Sequence, residues 1–383
     1  MTNTESTVPL KMLLFYFHAA NTVIVSFLPL YLQYRDLSSV EIGWIMAIGP
    51  FISIISQPFW GYMSDKYQTV KRMLMICLIG VLISSTFFLQ MATLPLLATL
   101  GFAYYFFASP IGALGDSLAQ RRADQLGISF GAIRTWGSIG FAASSLIVGQ
   151  VLSIVGIQFI VWPYLLLAGA AFLSSMKLTD AKVKKRPVQF SDVRHLMKKK
   201  PFIIFLFIIT FITITHRAND SFVGIYIAEL GGSESLIGFS WFLGVASEAL
   251  VFATAGKWFK KYHPLIFMIS AGFLYSIRWF IYASADDPML IVGLQFLHGL
   301  TFGVFYLTAF QYVTRLIPMV MQSTGHLIFV AVFFGISGII GSLFGGTLMD
   351  TFGGDTLYLY MGILSSIGSL TMLLYHVLPY GKS

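Results

Sequence analysis

The sequence predicts an all-α protein that crosses a membrane twelve times, and three observations carry that prediction. Apolar stretches recur along the whole chain, each near the roughly 20 residues a helix needs to cross hydrocarbon. Only 10% of the residues are charged and 57% are hydrophobic, for a mean hydropathy of +0.80. An ordinary soluble domain carries about 25% charged residues, so lipid must cover the apolar surface of this one. Finally, the positive charge follows topology. Of the 24 Lys and Arg, 20 fall in one alternate set of connections or at the termini, and Arg35 falls on the other side. Arg134, Arg217 and Arg278 lie within helices. The positive-inside rule makes the rich side cytoplasmic, and an even number of spans then puts both termini there.

The twelve spans read as 10–34, 42–62, 73–92, 96–119, 131–153, 156–176, 202–228, 236–256, 265–284, 289–313, 323–349 and 356–378. Connections on the outer side are short and acidic, such as Asp286-Asp287 and Asp350 to Asp355. Those on the cytoplasmic side are basic, such as Lys71-Arg72, Arg121-Arg122 and Lys257 to Lys261. The longest polar segment divides the chain into six spans and six spans. Residues 1–176 are expected to form one bundle, 177–201 a basic cytoplasmic linker and 202–383 a second bundle. That linker holds nine Lys or Arg against Asp180 and Asp192.

The halves share a weak repeat. Gly61-Tyr-Met-Ser-Asp65-Lys-Tyr recurs as Gly256-Lys-Trp-Phe-Lys260-Lys-Tyr, offset by 195 residues. Two pseudo-symmetric six-helix bundles of this kind place a substrate site near the midplane, where the halves meet. Spans 5 and 11 are dense in small residues, including Gly137, Gly140 and Gly149 in one and Gly335, Gly341 and Gly345 in the other. Such residues let helix backbones approach closely.

Several function classes are excluded. The net charge of +8 follows the loops and forms no patch, so nucleic acid is not an expected partner. Cys77 is the single cysteine, which leaves no internal disulfide and no thiol-based metal site. No metal-ligand cluster or nucleophile elbow is present, so neither a metal, a cofactor nor an enzyme activity is expected. The polar start MTNTESTVPLK lacks the features of a cleaved signal peptide. A prokaryotic inner membrane fits best. The chain shows no added soluble signalling domain or long loop that would mark a sensor.

Charged groups inside the helices are the functional question. Asp116, Asp220, Glu248, Arg134, Arg217 and Arg278 stand within spans, joined by His18 and His298. Each lone charge at mid-bilayer costs about 2.5–3.5 kcal/mol even on the lenient scale. These groups must therefore pair or face a wet cavity, and three of each sign is what pairing requires. Glu248 lies in Trp241-Phe-Leu-Gly-Val-Ala-Ser-Glu248-Ala-Leu-Val-Phe, with no other charge near it. Apolar surroundings penalise its ionised form, so it suits a proton carrier. Arg278 is placed to face His298 from the preceding span. His18 and Asn21 share a helical face at i, i+3 and are candidate cavity residues. Phe141, Trp136 and Trp241 are aromatics near the charges that could stack on a ring.

At this point the chain resembles the major facilitator superfamily. Gly61-x-x-x-Asp65 followed by Lys71-Arg72 is similar to its signature between spans 2 and 3, although Gln68 and Thr69 stand where a glycine is usual. The resemblance implies that Gly61, Asp65, Lys71 and Arg72 gate the cytoplasmic face during alternating access. Over nearly the whole chain the closer resemblance is to the lactose-permease-like branch, including phenylpropionate permeases. Asp116 and Arg134, 18 residues apart, are similar to the acid and arginine that grip the sugar there. Phe141 falls where an aromatic ring stacks on ligand. Glu248, Arg278 and His298 match the groups that link substrate and proton sites. The glutamate expected three residues after the histidine is Thr301, and the basic residue expected three before it is Gln295. Proton coupling must then use Glu248, Asp116 or Asp220. The implied activity is proton-driven import of a small organic solute, an aromatic acid or a sugar-like molecule, by a monomer in the lipid bilayer. Proton-driven efflux of drugs or metabolites is the alternative, against which span 5 lacks the Gly-Pro element of antiporters.

Overall fold

A computed structural model of the chain describes residues 6–91, 93–180, 190–258 and 262–378. Twelve helices there are long and apolar enough to cross a membrane. They are Val8–Tyr34, Ser39–Lys66, Val70–Phe88, Leu94–Leu126, Gly131–Val155, Ile157–Met176, Lys200–Glu229, Glu234–Trp258, Pro264–Ala283, Pro288–Leu316, Thr324–Phe352 and Gly354–Val377, called spans 1 to 12.

Local chemistry sets many of the ends. Ser38 and Glu41 form a reciprocal capping box at the start of span 2, which satisfies two otherwise orphaned amides. Thr69 caps span 3 by accepting from the Arg72 amide at 3.2 Å. Proline stands in the first turn of spans 1, 4, 7, 9 and 10, where its missing N–H removes no helical bond. Gly127, at φ +65°, closes span 4. That span continues seven residues beyond the expected 119, because Gln120 to Leu126 still favour helix although they are no longer apolar.

Span 10 departs from the single regular helix its apolar run suggests. Gln295–Leu297 is 3-10 and Gly299–Gly303 is π-helical. Span 11 contains a second π-helical stretch at Ala331–Ile336. Each wide turn changes the phase of the residues beyond it, and such turns frequently mark functional positions.

The chain forms two compact units, one of residues 1–185 with 233–242, the other of 186–232 with 243–383. The first ten residues leading into and along span 8 thus belong with the first unit. Within the first unit span 1 is the most buried helix and packs on spans 5 and 6, while span 3 packs on spans 4 and 6. Within the second, span 7 is the most buried and packs on spans 11 and 12, while span 9 packs on spans 10 and 12. The same pairings recur six helices later.

The small residues sit at the matching seams. A Cβ at Gly140 would overlap the Phe15 carbonyl oxygen, which brings span 5 onto span 1. A Cβ at Gly341 would lie 2.7 Å from the Ile214 carbonyl oxygen, which brings span 11 onto span 7. Hydroxyl pairs reinforce the second unit, with Thr213 to Ser337 at 2.7 Å and Thr215 to Ser365 at 2.9 Å. Hydrogen bonds between apolar helices of this kind hold helix pairs together in lipid.

Of the expected linker, residues 181–189 lie outside the described residues, and the repeat at Gly256 to Tyr262 lies partly outside them. Phe190–Leu196 is a short helix. Residues 177–180 are tied to the first unit through Asp180. Its carboxylate accepts from the Thr69 hydroxyl at 2.6 Å and from the Lys71 amide at 2.8 Å.

Candidate functional site

The first unit assembles its charged groups across helices. Arg134 Nε, early in span 5, lies 2.9 Å from Asp116 Oδ1, late in span 4. The two side chains are 31% and 38% exposed. His18 of span 1 lies against the same place, since a Cβ at Gly137 would meet both the His18 ring and Arg134 Nη1 within 2.7 Å. Only glycine leaves room there for imidazole and guanidinium together. His18 Nε2 is buried and has no hydrogen-bond partner among the described residues.

Two turns along span 5, the Phe141 ring stands 6.1 Å from Trp241, inclined at 57°. Trp241 comes from the part of span 8 that belongs to this unit. Trp136, which the sequence also offers, is 42% exposed. Asn21 is not brought to the pair. It lines a small cavity with Leu78, Val81, Tyr104 and Tyr164, beside a Tyr164-to-Tyr104 hydroxyl bond of 2.9 Å. Residues three apart on a helix stand about 60° apart around its axis and about 4.5 Å along it, which leaves His18 and Asn21 with different neighbours.

The second unit arranges its charges differently. Arg217 and Asp220 pair at 2.6 Å within one turn of span 7. His216 Nε2 lies 3.5 Å from the same carboxylate oxygen. His298 Nε2 is 4.0 Å from Glu248 Oε2, and the His216 and His298 rings are 5.6 Å apart. Phe302 stacks on His216 at 4.5 Å and 15°, joining the histidines to an aromatic cluster with Tyr306 and Phe333. Sequence reasoning passed over His216, although His216-Arg217-Ala-Asn219-Asp220 interrupts an otherwise apolar helix.

Arg278, expected to face His298, spends its hydrogen bonds on neutral acceptors. It is fully buried and donates to the Tyr282 hydroxyl at 2.9 and 3.1 Å, Gln295 Oε1 at 2.5 Å and Thr301 Oγ1 at 3.4 Å. Its guanidinium also sits 5.0 Å from the Trp279 ring centroid. Gln295 and Thr301 are the two positions where the chain departs from the lactose-permease pattern, and both are spent on this one cation. Of the three opposite-sign pairs that equal numbers led us to expect, Asp116–Arg134 and Asp220–Arg217 form. Glu248 lies 4.0 Å from His298, and Arg278 is enclosed by neutral acceptors.

On the expected gating face, Asp65 Oδ1 lies 3.8 Å from Arg121 Nη2 of span 4. The sequence pointed to Lys71 and Arg72 as its partners. Lys71 instead donates from Nζ to the Met176 carbonyl at 2.8 Å, and the Arg72 amide is used in the cap of span 3. The turn after Asp65 explains the usual glycine, since Gln68 adopts a left-handed φ of +52°. Gly61 has open space where a Cβ would stand.

Comparison with known proteins agrees with this architecture. The sequence profile described as "MFS_1 like family" matches residues 7–360. The chain belongs to the MFS_1-like family. It is a multi-pass transporter of the permease type in the major facilitator superfamily, and its relatives are transporters of small molecules. The maltose permease of Geobacillus stearothermophilus is 31% identical over 367 residues, 94% of this chain and 93% of that one. The probable 3-phenylpropionic acid transporter of Escherichia coli strain K12 is 26% identical over 257 residues, 65% of this chain and 66% of that one. Among solved structures, the nucleoside transporter NupG superposes with a TM-score of 0.86 at 17% identity. The match covers 96% of this chain and 98% of that one. For this MFS_1-like chain, that likeness supports the twelve-helix fold alone.

Proposed function

We propose that the protein is a proton-driven importer of a neutral, ring-bearing solute such as a sugar, working by alternating access as a monomer in a prokaryotic inner membrane with both termini in the cytoplasm. The observation that carries this reading is the Asp116–Arg134 pair, partly exposed and contributed by two helices at 2.9 Å. A paired acid and guanidinium present no net charge. A polyol can accept from Arg134 and donate to Asp116 together, with charge-assisted hydrogen bonds on both sides. A carboxylate ligand would have to displace Asp116 from Arg134 and then lie beside it, and like charges at that range repel. The relation to a maltose permease at 31% identity favours the sugar, and the weaker relation to a probable 3-phenylpropionic acid transporter keeps the aromatic acid as the competitor.

In this reading His18 and Phe141 complete the grip on the solute, while Asn21 acts from behind span 1. Glu248 gains and loses the proton beside His298. Asp220, with His216 and Arg217, is the second carboxylate able to take part, and Arg278 supplies a fixed positive field. Asp65 with Arg121 closes the inner face, with Gly61 behind it and Lys71 and Arg72 holding the neighbouring helix start.

The test is purified protein in proteoliposomes carrying an internal pH dye, challenged with maltose, uridine and 3-phenylpropionate. Maltose-type solutes are expected to carry protons inward. Proton entry with 3-phenylpropionate alone would assign the aromatic-acid class. Solute-driven proton exit would assign antiport.

A further inference from the structure

We propose that Trp241 determines substrate specificity, its indole N–H donating to a solute oxygen and its ring forming one aromatic face together with Phe141. This rests on the import of a ring-bearing solute proposed above.

The placement of Trp241 follows from the packing of the two helices that carry the rings. A Cβ at Gly149 would lie 2.9 Å from the Glu234 carbonyl oxygen and 3.1 Å from Gly238 Cα. A Cβ at Gly238 would overlap the Ser145 carbonyl oxygen. Ser235 donates to Gln150 Oε1 at 2.9 Å. Spans 5 and 8 therefore run antiparallel in close contact, 149 beside 234–238 and 145 beside 238. The next step of that register brings 141 beside 241, where the rings meet at 6.1 Å. Glycine packing that permits backbone contact thus aims an aromatic side chain at the position already expected to touch substrate.

Chemistry singles this tryptophan out. A buried indole N–H usually finds an acceptor, as Trp60 does on the Phe106 carbonyl at 3.2 Å and Trp279 on Thr215 Oγ1 at 3.1 Å. Trp241 Nε1 is buried with no hydrogen-bond partner among the described residues. An unsatisfied buried donor is costly and needs a compensating role. At 6.1 Å and 57° the two rings touch as an inclined pair, within the contact range of aromatic side chains, so a solute would lie along the face they share. A sugar ring suits it, having apolar C–H faces and oxygens at its edge. Arg134 and Phe141 are seven residues, about two turns, apart on span 5, which puts them on one helix face, so the charged pair and the aromatic face can engage one solute.

The test separates the N–H from the ring. Trp241→Phe retains an aromatic ring and removes the donor. It is expected to raise the KM for maltose about tenfold, the worth of one hydrogen bond, with maximal rate within about twofold. Maltose analogues lacking one hydroxyl should include one that loses about tenfold with the parent protein and nothing further with Trp241→Phe. Trp241→Ala should lose uptake more deeply. Trp162→Phe, at a 66% exposed position of span 6, should change nothing. A Trp241→Phe protein with the parent KM, or one equally weakened toward every deoxy analogue, overturns the role of Trp241 while leaving sugar import standing. No maltose uptake by the parent protein overturns both.

Discussion

The two units treat the same problem, an ion pair inside lipid, in opposite ways. Asp116 and Arg134 come from different helices and are 38% and 31% exposed. Asp220 and Arg217 come from one turn of one helix, and Asp220 is only 11% exposed. The first pair can open when its helices or a solute pull on it. The second is closed locally, backed by His216 at 3.5 Å, and cannot be separated by sliding helices. Arg278 extends the contrast, being held by the neutral side chains of Tyr282, Gln295 and Thr301. An exposed pair across a seam suits ligand recognition. A buried pair within a turn suits holding charge in place while a nearby carboxyl changes protonation.

The comparison can be broken at several points, beginning with the largest effect. Asp220→Asn leaves the partly buried Arg217 without its counter-ion, at a cost below the about 3–5 kcal/mol of breaking a fully buried pair. The variant should show a lower thermal unfolding midpoint in detergent. Asp116→Asn should move that midpoint little, since exposed pairs contribute about 0–1 kcal/mol. If both variants unfold alike, the distinction between the units fails. Solute uptake should show the reverse order. Asp116→Asn or Arg134→Gln is expected to reduce initial uptake about 100-fold, as loss of one partner of a charged recognition pair does, whereas Asp220→Asn that still folds should bind solute.

Two smaller effects sharpen the account of the cytoplasmic ends. Gln68→Gly should raise stability by about 0.5 kcal/mol, the relief of a left-handed non-glycine residue less the added chain entropy. An unchanged midpoint would mean the Gln68-to-Asp65 carbonyl bond offsets the strain. His263 caps span 9 by accepting from the Leu265 amide. Burial, then His376 and Arg315, hold its pKa below the ordinary 6.5. Its contribution is therefore complete above that range and is lost as the pH falls through it, because protonation removes the acceptor. Unfolding midpoints between about pH 7 and pH 5 should fall less in His263→Asn, whose cap does not titrate in that range, by under about 1 kcal/mol.

Sequence alone revealed the twelve spans because charge and apolar length are one-dimensional properties. It also revealed the Asp116–Arg134 pair through the 18-residue spacing of the resemblance. The surroundings of Arg278 were hidden for a physical reason. The 3-10 and π-helical turns at 295–303 shift the phase of span 10, so ideal 3.6-residue geometry cannot say that Gln295 and Thr301 converge on one guanidinium. His216 was legible in principle, being one residue from a charged pair at i, i+3, but an apolar helix gives little periodicity by which to orient it. Arg121, which stands 3.8 Å from Asp65, was not legible as its neighbour because it arrives from span 4, far along the chain. Trp241 sits on Phe141 through a glycine register between spans 5 and 8, which no local pattern reports.

The most direct test of the central claim is solute-driven proton entry measured in proteoliposomes for the parent protein, Asp116→Asn and Glu248→Gln. The account predicts that maltose acidifies the lumen with the parent protein, that Asp116→Asn abolishes the response by losing the solute, and that Glu248→Gln still exchanges labelled maltose without moving protons. Proton entry left intact in both variants would contradict it.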